Sequence, residues 1–150
     1  MSEALALGRA ISYCGHLCKM YLDVQLRRRG YDITPAQSHA LLYLSQEGSR
    51  REINQRNLER QLRLKAPTVN GIVTRLEEKG YITRHASPED GRCRLIALTD
   101  QGRRMVETFR ATVRESEQQL ALILAPVEQE QMQALLSRMI TTLENEVNHP

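Results

Sequence analysis

The stretch from Pro67 to Gly80 constrains the fold more tightly than any other part of this 150-residue chain. Its apolar residues Val69, Ile72, Val73 and Leu76 fall at i, i+3, i+4 and i+7, which gathers them on one side of an α-helix. Proline is tolerated in the first helical turn, where its missing N–H has no partner to lose, and glycine accepts the left-handed backbone of a helix stop. The spacing therefore predicts a helix over Ala66 to Lys79, buried on one side and presenting Thr68, Gly71, Thr74, Arg75 and Glu78 on the other. A shorter helix precedes it, capped by Asn54, with Leu58 and Leu62 inward, Arg56, Arg60 and Arg63 outward, and a tight turn at Leu64 to Ala66. After it, Tyr81 to His85 reads as a strand, Ser87 to Gly91 is dense in turn residues, and Arg94 to Leu98 alternates as a returning strand. A basic helix, a turn, an amphipathic helix and a hairpin, in that order, make a winged helix-turn-helix.

The flanks are helical as well. A first helix is expected from about Ala4 to Arg28, with Leu7, Ile11, Cys14, Cys18 and Tyr21 on one stripe and Gly30 as its stop. Thr34, Pro35 and Gln37 have the spacing of a capping box and announce a second helix that should end at Gly48. Thr99 caps a long helix through Met105, Phe109, Val113, Leu120 and Leu124, and Pro126 begins a last one lined by Met132, Leu135, Leu136, Met139 and Leu143. These two helices offer more apolar face than one small winged domain can cover, which favours dimerisation over a monomeric helical cap. The expected architecture is mainly α, an α+β winged helix-turn-helix of six helices with a wing of two or three strands, dimerised through its N- and C-terminal helices. Residues 1–33 and 99–150 would serve dimerisation, and residues 34–98 would form the DNA-binding domain.

Charge supports this division. Residues 50–104 carry 13 basic against 7 acidic side chains, a net +6, while residues 105–150 carry 3 against 7, a net −4. A basic middle suits phosphates and an acidic tail suits another protein chain, although a solvated basic face would look similar. Apolar residues make up 41% and charged residues 26% of the chain, an ordinary globular balance. No charge-free stretch approaches the roughly 18 apolar residues that span a bilayer, and the start lacks the basic opening of a signal peptide, so a cytoplasmic protein with no membrane partner is expected. Cys14, Cys18 and Cys93 match no zinc-ribbon spacing and read as reduced thiols. The chain contains no G-x-S-x-G, P-loop, H-E-x-x-H or dinucleotide fingerprint, so no enzyme, no cofactor and no metal are expected.

A helix of about 14 residues is roughly 21 Å long and fits a major groove about 12 Å wide. On its outward side Thr68, Asn70 and Thr74 donate and accept hydrogen bonds, Gly71 permits close backbone approach, and Arg75 suits guanine or phosphate. Lys65, at its start, is a further DNA-contact candidate, and Arg84, His85 and Arg94 add cations to the hairpin, with phosphates as targets.

The same residues resemble a known family, the multiple antibiotic resistance regulators, or MarR family. The resemblance rests on Thr34-Pro35-Ala36-Gln37, Ala66-Pro67-Thr68-Val69-Asn70, Arg75 through Ile82, Asp90-Gly91-Arg92 and Leu98 through Gly102, in that order and spacing over essentially the whole chain. It implies a homodimer on a pseudo-palindromic operator, expected to act as a repressor, with paired recognition helices in successive major grooves. It also implies that Arg92 enters the minor groove and that Asp90 stabilises the wing, by hydrogen bonds or by pairing with Arg92 or Arg94. Release by a small-molecule effector is expected, with Cys14, Cys18, His39 and Tyr43 as candidate ligand or redox-pocket residues.

The alternatives are a thiol sensor using Cys14 or Cys18, or a winged helix that binds only protein. An intrahelical disulfide is disfavoured, because Cβ atoms one turn apart lie about 5–6 Å from each other and a disulfide needs about 3.8 Å. The peroxide-sensing members place their cysteine near Ala10 and a tyrosine at Pro35, and neither residue type is present there. Three ligands from Cys14, Cys18 and His39 would be needed for a metal, and no histidine lies between Met105 and Leu124, where zinc-responsive members would use one.

Overall fold

A computed structural model describes residues 6–149. Helices α1 (Leu7–Arg28) and α2 (Pro35–Glu47) are followed by the two-residue strand β1 (Ile53–Asn54), then α3 (Gln55–Leu62) and α4 (Ala66–Glu78). Strands β2 (Ile82–Ala86) and β3 (Arg94–Leu98) form the hairpin, and α5 (Asp100–Ala121) and α6 (Pro126–Asn148) complete the chain. The fold is a winged helix-turn-helix with six helices and a three-stranded antiparallel sheet of order β1-β3-β2. The described residues up to Thr112 and those from Val113 onward form two compact units, the division falling within α5.

Local chemistry sets most boundaries. At the start of α2 the Thr34 hydroxyl accepts from the Gln37 N–H and the Gln37 side chain accepts from the Thr34 N–H, each at 3.3 Å. Asn54 and Asn57 exchange the same pair of bonds at the start of α3, at 2.9 and 3.0 Å. Both α1 and α4 end in a glycine-closed turn. Gly30 and Gly80 adopt φ of 77° and 80°, and the N–H groups of Tyr31 and Tyr81 reach back to the carbonyls of Leu26 and Leu76. Arg63 ends α3 with φ of 54°, the only described non-glycine residue in the left-handed region, and so makes the tight helix-turn-helix corner.

One core serves the first unit. Ala40, Leu41 and Leu44 of α2, Ile53, Leu58 of α3, Ile82 and Ile96 of the hairpin and Val106 of α5 surround Val69, Ile72, Val73 and Leu76 of α4. All four apolar residues of α4 are buried, as their spacing required. Gly102 is packed so that a Cβ would land on the Tyr81 carbonyl oxygen, which brings the start of α5 against the end of α4.

Some boundaries differ from expectation: the long helix expected through Leu124 ends at Ala121. The expected start of α1 at Ala4 lies outside the described residues. Strand β2 begins at Ile82 instead of Tyr81, because the Tyr81 N–H is already spent closing α4. Strand β1, the third strand that the expected wing allowed for, was not placed from the sequence, since two residues show no period; Ile53 pairs with Ile96 and Asn54 with Leu95.

On α1 the stripe of Leu7, Ile11, Cys14, Cys18 and Tyr21 is half-buried at Ile11, Cys18 and Tyr21 and exposed at Leu7 and Cys14, and Leu26 is the helix's buried residue. Tyr13, Leu17, Met20 and Val24 form a second apolar stripe at helical spacing and are exposed. In α6, Met132, Leu135, Ile140, Leu143 and Val147 are exposed, and no α6 residue is buried. Among the described residues no helix is long and apolar enough to cross a membrane.

Candidate nucleic-acid interface

Helix α4 is held from below by its apolar stripe and offers its polar side outward. Lys65, Thr68, Asn70, Gly71 and Arg75 are exposed and Thr74 is half-buried. No side chain caps the first turn of α4, so the backbone N–H groups there remain available to an anion. A Cβ built on Gly71 meets nothing within 4 Å, so the fold itself has no need of glycine at this position. Glycine in a helix interior costs about 0.5–1 kcal/mol relative to alanine, a cost that no internal contact explains.

The wing tip is built from short polar bonds. Ser87 Oγ accepts from the N–H groups of Glu89 and Asp90, and the Ser87 N–H donates to the Cys93 carbonyl at 2.8 Å. Asp90 Oδ1 accepts from the Arg92 N–H at 3.0 Å, an Asx turn that shapes the loop without engaging the guanidinium. Arg92 and Arg94 are exposed. A groove of about 520 Å³ runs between the wing and α3, lined by Asn54, Gln55, Arg56, Glu59, Asp90, Arg92, Cys93 and Arg94. It brings Arg56 together with the two wing arginines, a grouping of three cations that spacing alone did not reveal.

Arg84 behaves differently from the other basic residues of the hairpin. Its guanidinium lies across α4, donating to Glu77 at 3.0 Å, to Thr74 Oγ1 at 3.3 Å and to Asn70 Oδ1 at 3.3 Å. Its backbone N–H donates to the other Glu77 oxygen at 3.2 Å. The hydrogen bond from Arg84 holds the Glu77 carboxyl below the ordinary glutamate range. His85 is exposed on the same strand.

The far end of α4 is fastened to the loop between α1 and α2. Lys79 Nζ donates to the Asp32 carbonyl at 2.6 Å and lies 3.8 Å from its carboxylate, which also accepts from the Tyr81 hydroxyl at 3.0 Å. Burial first, and Asp32 second, push the Tyr81 phenol above its ordinary value. Next to it, Tyr31 shares a 2.6 Å hydrogen bond with Ser38 and stacks at a tilt on Phe109, with ring centroids 5.7 Å apart. Asp32 also lines a cleft of about 340 Å³ with Asp23, Leu26, Arg27, Tyr31, Ile33, Thr34 and Pro35. Nothing in the sequence pattern singled out Asp32, whose partners lie far along the chain.

The four residues considered for a ligand or redox pocket do not line this cleft. Cys14 and His39 are exposed, Cys18 is half-buried, and the half-buried Tyr43 hydroxyl accepts from Arg51 at 2.6 Å. Among the described residues no group of three His, Cys, Asp or Glu side chains lies close enough to hold a metal ion.

Comparison with known proteins agrees with this geometry. The MarR family profile matches residues 31–92. The chain is 32% identical over 98 residues to the uncharacterized HTH-type transcriptional regulator YdgJ of Bacillus subtilis, a match that spans 65% of this chain and 57% of that one. It also superposes on MepR, a transcription regulator of the Staphylococcus aureus multidrug efflux pump MepA, with a TM-score of 0.82 and 30% identity over 93% of this chain and 99% of MepR. For the MepR–DNA complex the TM-score is 0.75 at 35% identity, covering 91% and 97% of the two chains. MepR bound to ethidium bromide gives 0.70 at 32% identity, covering 93% and 97%. With the family profile matching over residues 31–92 and the whole fold superposing on MepR at 30% identity, the chain belongs to the MarR family of transcriptional regulators.

Proposed function

We propose that this protein is a repressor that binds a pseudo-palindromic operator as a homodimer and leaves it when a small molecule binds. One observation carries the DNA-binding part: Lys65, Thr68, Asn70, Gly71 and Arg75 are exposed along a helix whose opposite side is wholly buried. In this reading α4 lies in the major groove, with Thr74 at its edge, and the exposed Arg92 enters the minor groove, where a narrow channel concentrates negative potential. Arg94 and Arg56 meet phosphates, and Asp90 keeps the wing tip in shape.

The homodimer is supported by the exposed apolar stripes of α1 and α6, each of which a second copy would cover. Residues 1–33 and 99–150 then serve dimerisation and residues 34–98 serve DNA. Effector release draws on the 340 Å³ cleft, whose lining sets the Asp23 and Asp32 carboxylates and Arg27 beside the apolar Leu26, Ile33 and Pro35, and whose Asp32 is tied to the end of α4. MepR, a relative of similar fold, has been solved with ethidium bromide, an aromatic cation.

The test is a footprint on DNA flanking the gene, followed by titration of the footprinted duplex at several salt concentrations. A steep loss of affinity with salt is expected, since each neutralised phosphate releases counterions. Weak binding with no salt dependence would refute the reading. In sedimentation, Met20→Glu combined with Leu143→Glu should convert a dimer into a monomer, and a parent protein that is already monomeric would refute the dimer.

A further inference from the structure

Arg84 sits outside the set of residues expected to touch bases, yet it governs two of them. Asn70, Thr74 and Glu77 recur at i, i+4 and i+7, so they form the stripe of α4 that faces β2. Arg84 spans this stripe and bonds to all three. A guanidinium has five donors and no acceptor, so the Asn70 atom turned toward it must be the carbonyl oxygen, and the Thr74 oxygen must be accepting. With one lone pair of each oxygen taken by Arg84, the Asn70 NH2 group and the Thr74 O–H are the groups left wholly free for an outside partner. Glu77 neutralises Arg84 from the other side at 3.0 Å, so the guanidinium is held as a strut instead of reaching for phosphate.

We infer that Arg84 is a positioning residue that presets Asn70 and Thr74 as hydrogen-bond donors, so that this part of the recognition helix reads acceptor edges and prefers guanine over adenine. The inference rests on the DNA-binding reading above and deepens it. In the major groove guanine shows two acceptors, N7 and O6, whereas adenine pairs an acceptor with the N6 donor. An asparagine that clamps adenine must turn Oδ1 and Nδ2 to the base edge together. Oδ1 keeps a second lone pair, but its bond to Arg84 fixes the turn of the amide and so disfavours that clamp, and an adenine N6 donor would face the Asn70 NH2 group.

The experiment measures affinity for a set of duplexes in which each base pair of the footprinted operator is varied in turn. The position read by Asn70 is the one whose preference disappears in Asn70→Ala. There the parent protein should favour guanine over adenine by about tenfold. Arg84→Met should reduce that ratio to within about twofold while leaving the salt dependence unchanged, because Arg84 neutralises no phosphate. Arg84→Lys, which keeps a charged donor group but not the planar fork that spans all three acceptors, should restore part of the ratio. Glu77→Gln, which loosens the strut without touching Asn70 or Thr74, should shift it in the same direction as Arg84→Met and so covers the case in which Arg84→Met folds poorly. Adenine favoured by the parent, an unchanged ratio in Glu77→Gln and Arg84→Met, or a salt slope lowered by about one in Arg84→Met would each overturn the inference while leaving DNA binding intact. A parent protein that binds no duplex would overturn the DNA-binding reading itself, and this inference with it.

Discussion

Replacing Gly71 by alanine separates what α4 needs for its own stability from what it needs to meet DNA. The added methyl group would find no atom within 4 Å inside the protein and requires no change of backbone conformation, since Gly71 lies within the α4 helix. Relieving the flexibility of glycine in a helix interior stabilises the fold by about 0.5–1 kcal/mol. For a chain of this size the melting temperature should rise by about 1–4 °C. The same methyl projects from the side proposed to approach the groove, where overpacking costs about 1–3 kcal/mol, so operator affinity should fall by roughly tenfold or more. Calorimetry and fluorescence anisotropy on one preparation read the two effects. They should have opposite signs. A lowered melting temperature would mean that Gly71 serves the fold, and unchanged affinity with a raised melting temperature would remove Gly71 from the interface.

Other positions give equally direct outcomes. Gly102→Ala would drive a methyl into the Tyr81 carbonyl and should destabilise the protein by about 2 kcal/mol or more, measured by urea denaturation. Asp90→Ala removes the bond to the Arg92 N–H, so operator affinity should drop several-fold with little change in melting temperature, the wing tip being exposed. The Glu77 carboxyl titrates below its ordinary range in the folded protein, so its stabilising effect is fully present above that range and is lost as pH falls through the lowered value. Melting curves of the parent and Glu77→Gln should therefore differ at neutral pH and converge on acidification; a gap that widens in acid would contradict the pairing with Arg84.

Much of the fold was legible because it is written in local chemistry. The pairs Thr34 with Gln37 and Asn54 with Asn57 each close within one helical turn, and Pro67 and Gly80 bracket a stripe that can only be a buried helix face. Strand β1 escaped notice because two residues carry no period, and its existence depends on β3 passing beside it. Arg84 shows the limit most clearly. A basic residue on a basic hairpin suggests a phosphate contact, but whether its guanidinium points out to DNA or back onto Asn70, Thr74 and Glu77 depends on how β2 crosses α4. The link from Asp32 to Lys79 and Tyr81 was equally hidden, since it joins segments that only the folded chain brings together.

The two ends of α4 are fastened very unequally. Its C-terminal end carries the Gly80 turn, the Lys79 and Tyr81 bonds to Asp32, and the Thr99 hydroxyl donating to the Gly80 carbonyl at 2.6 Å, while its first turn has no side-chain cap. With proline at residue 67, the Ala66 and Thr68 amides stand at that end without helical carbonyls to bond. In hydrogen–deuterium exchange the helix should therefore open from its leading turn, with those amides exchanging while Leu76 and its neighbours stay protected. A helix clamped at its rear and pliable at its tip can search the groove without losing its seat in the core, and slowed exchange at Ala66 and Thr68 would report that the tip has found an anion.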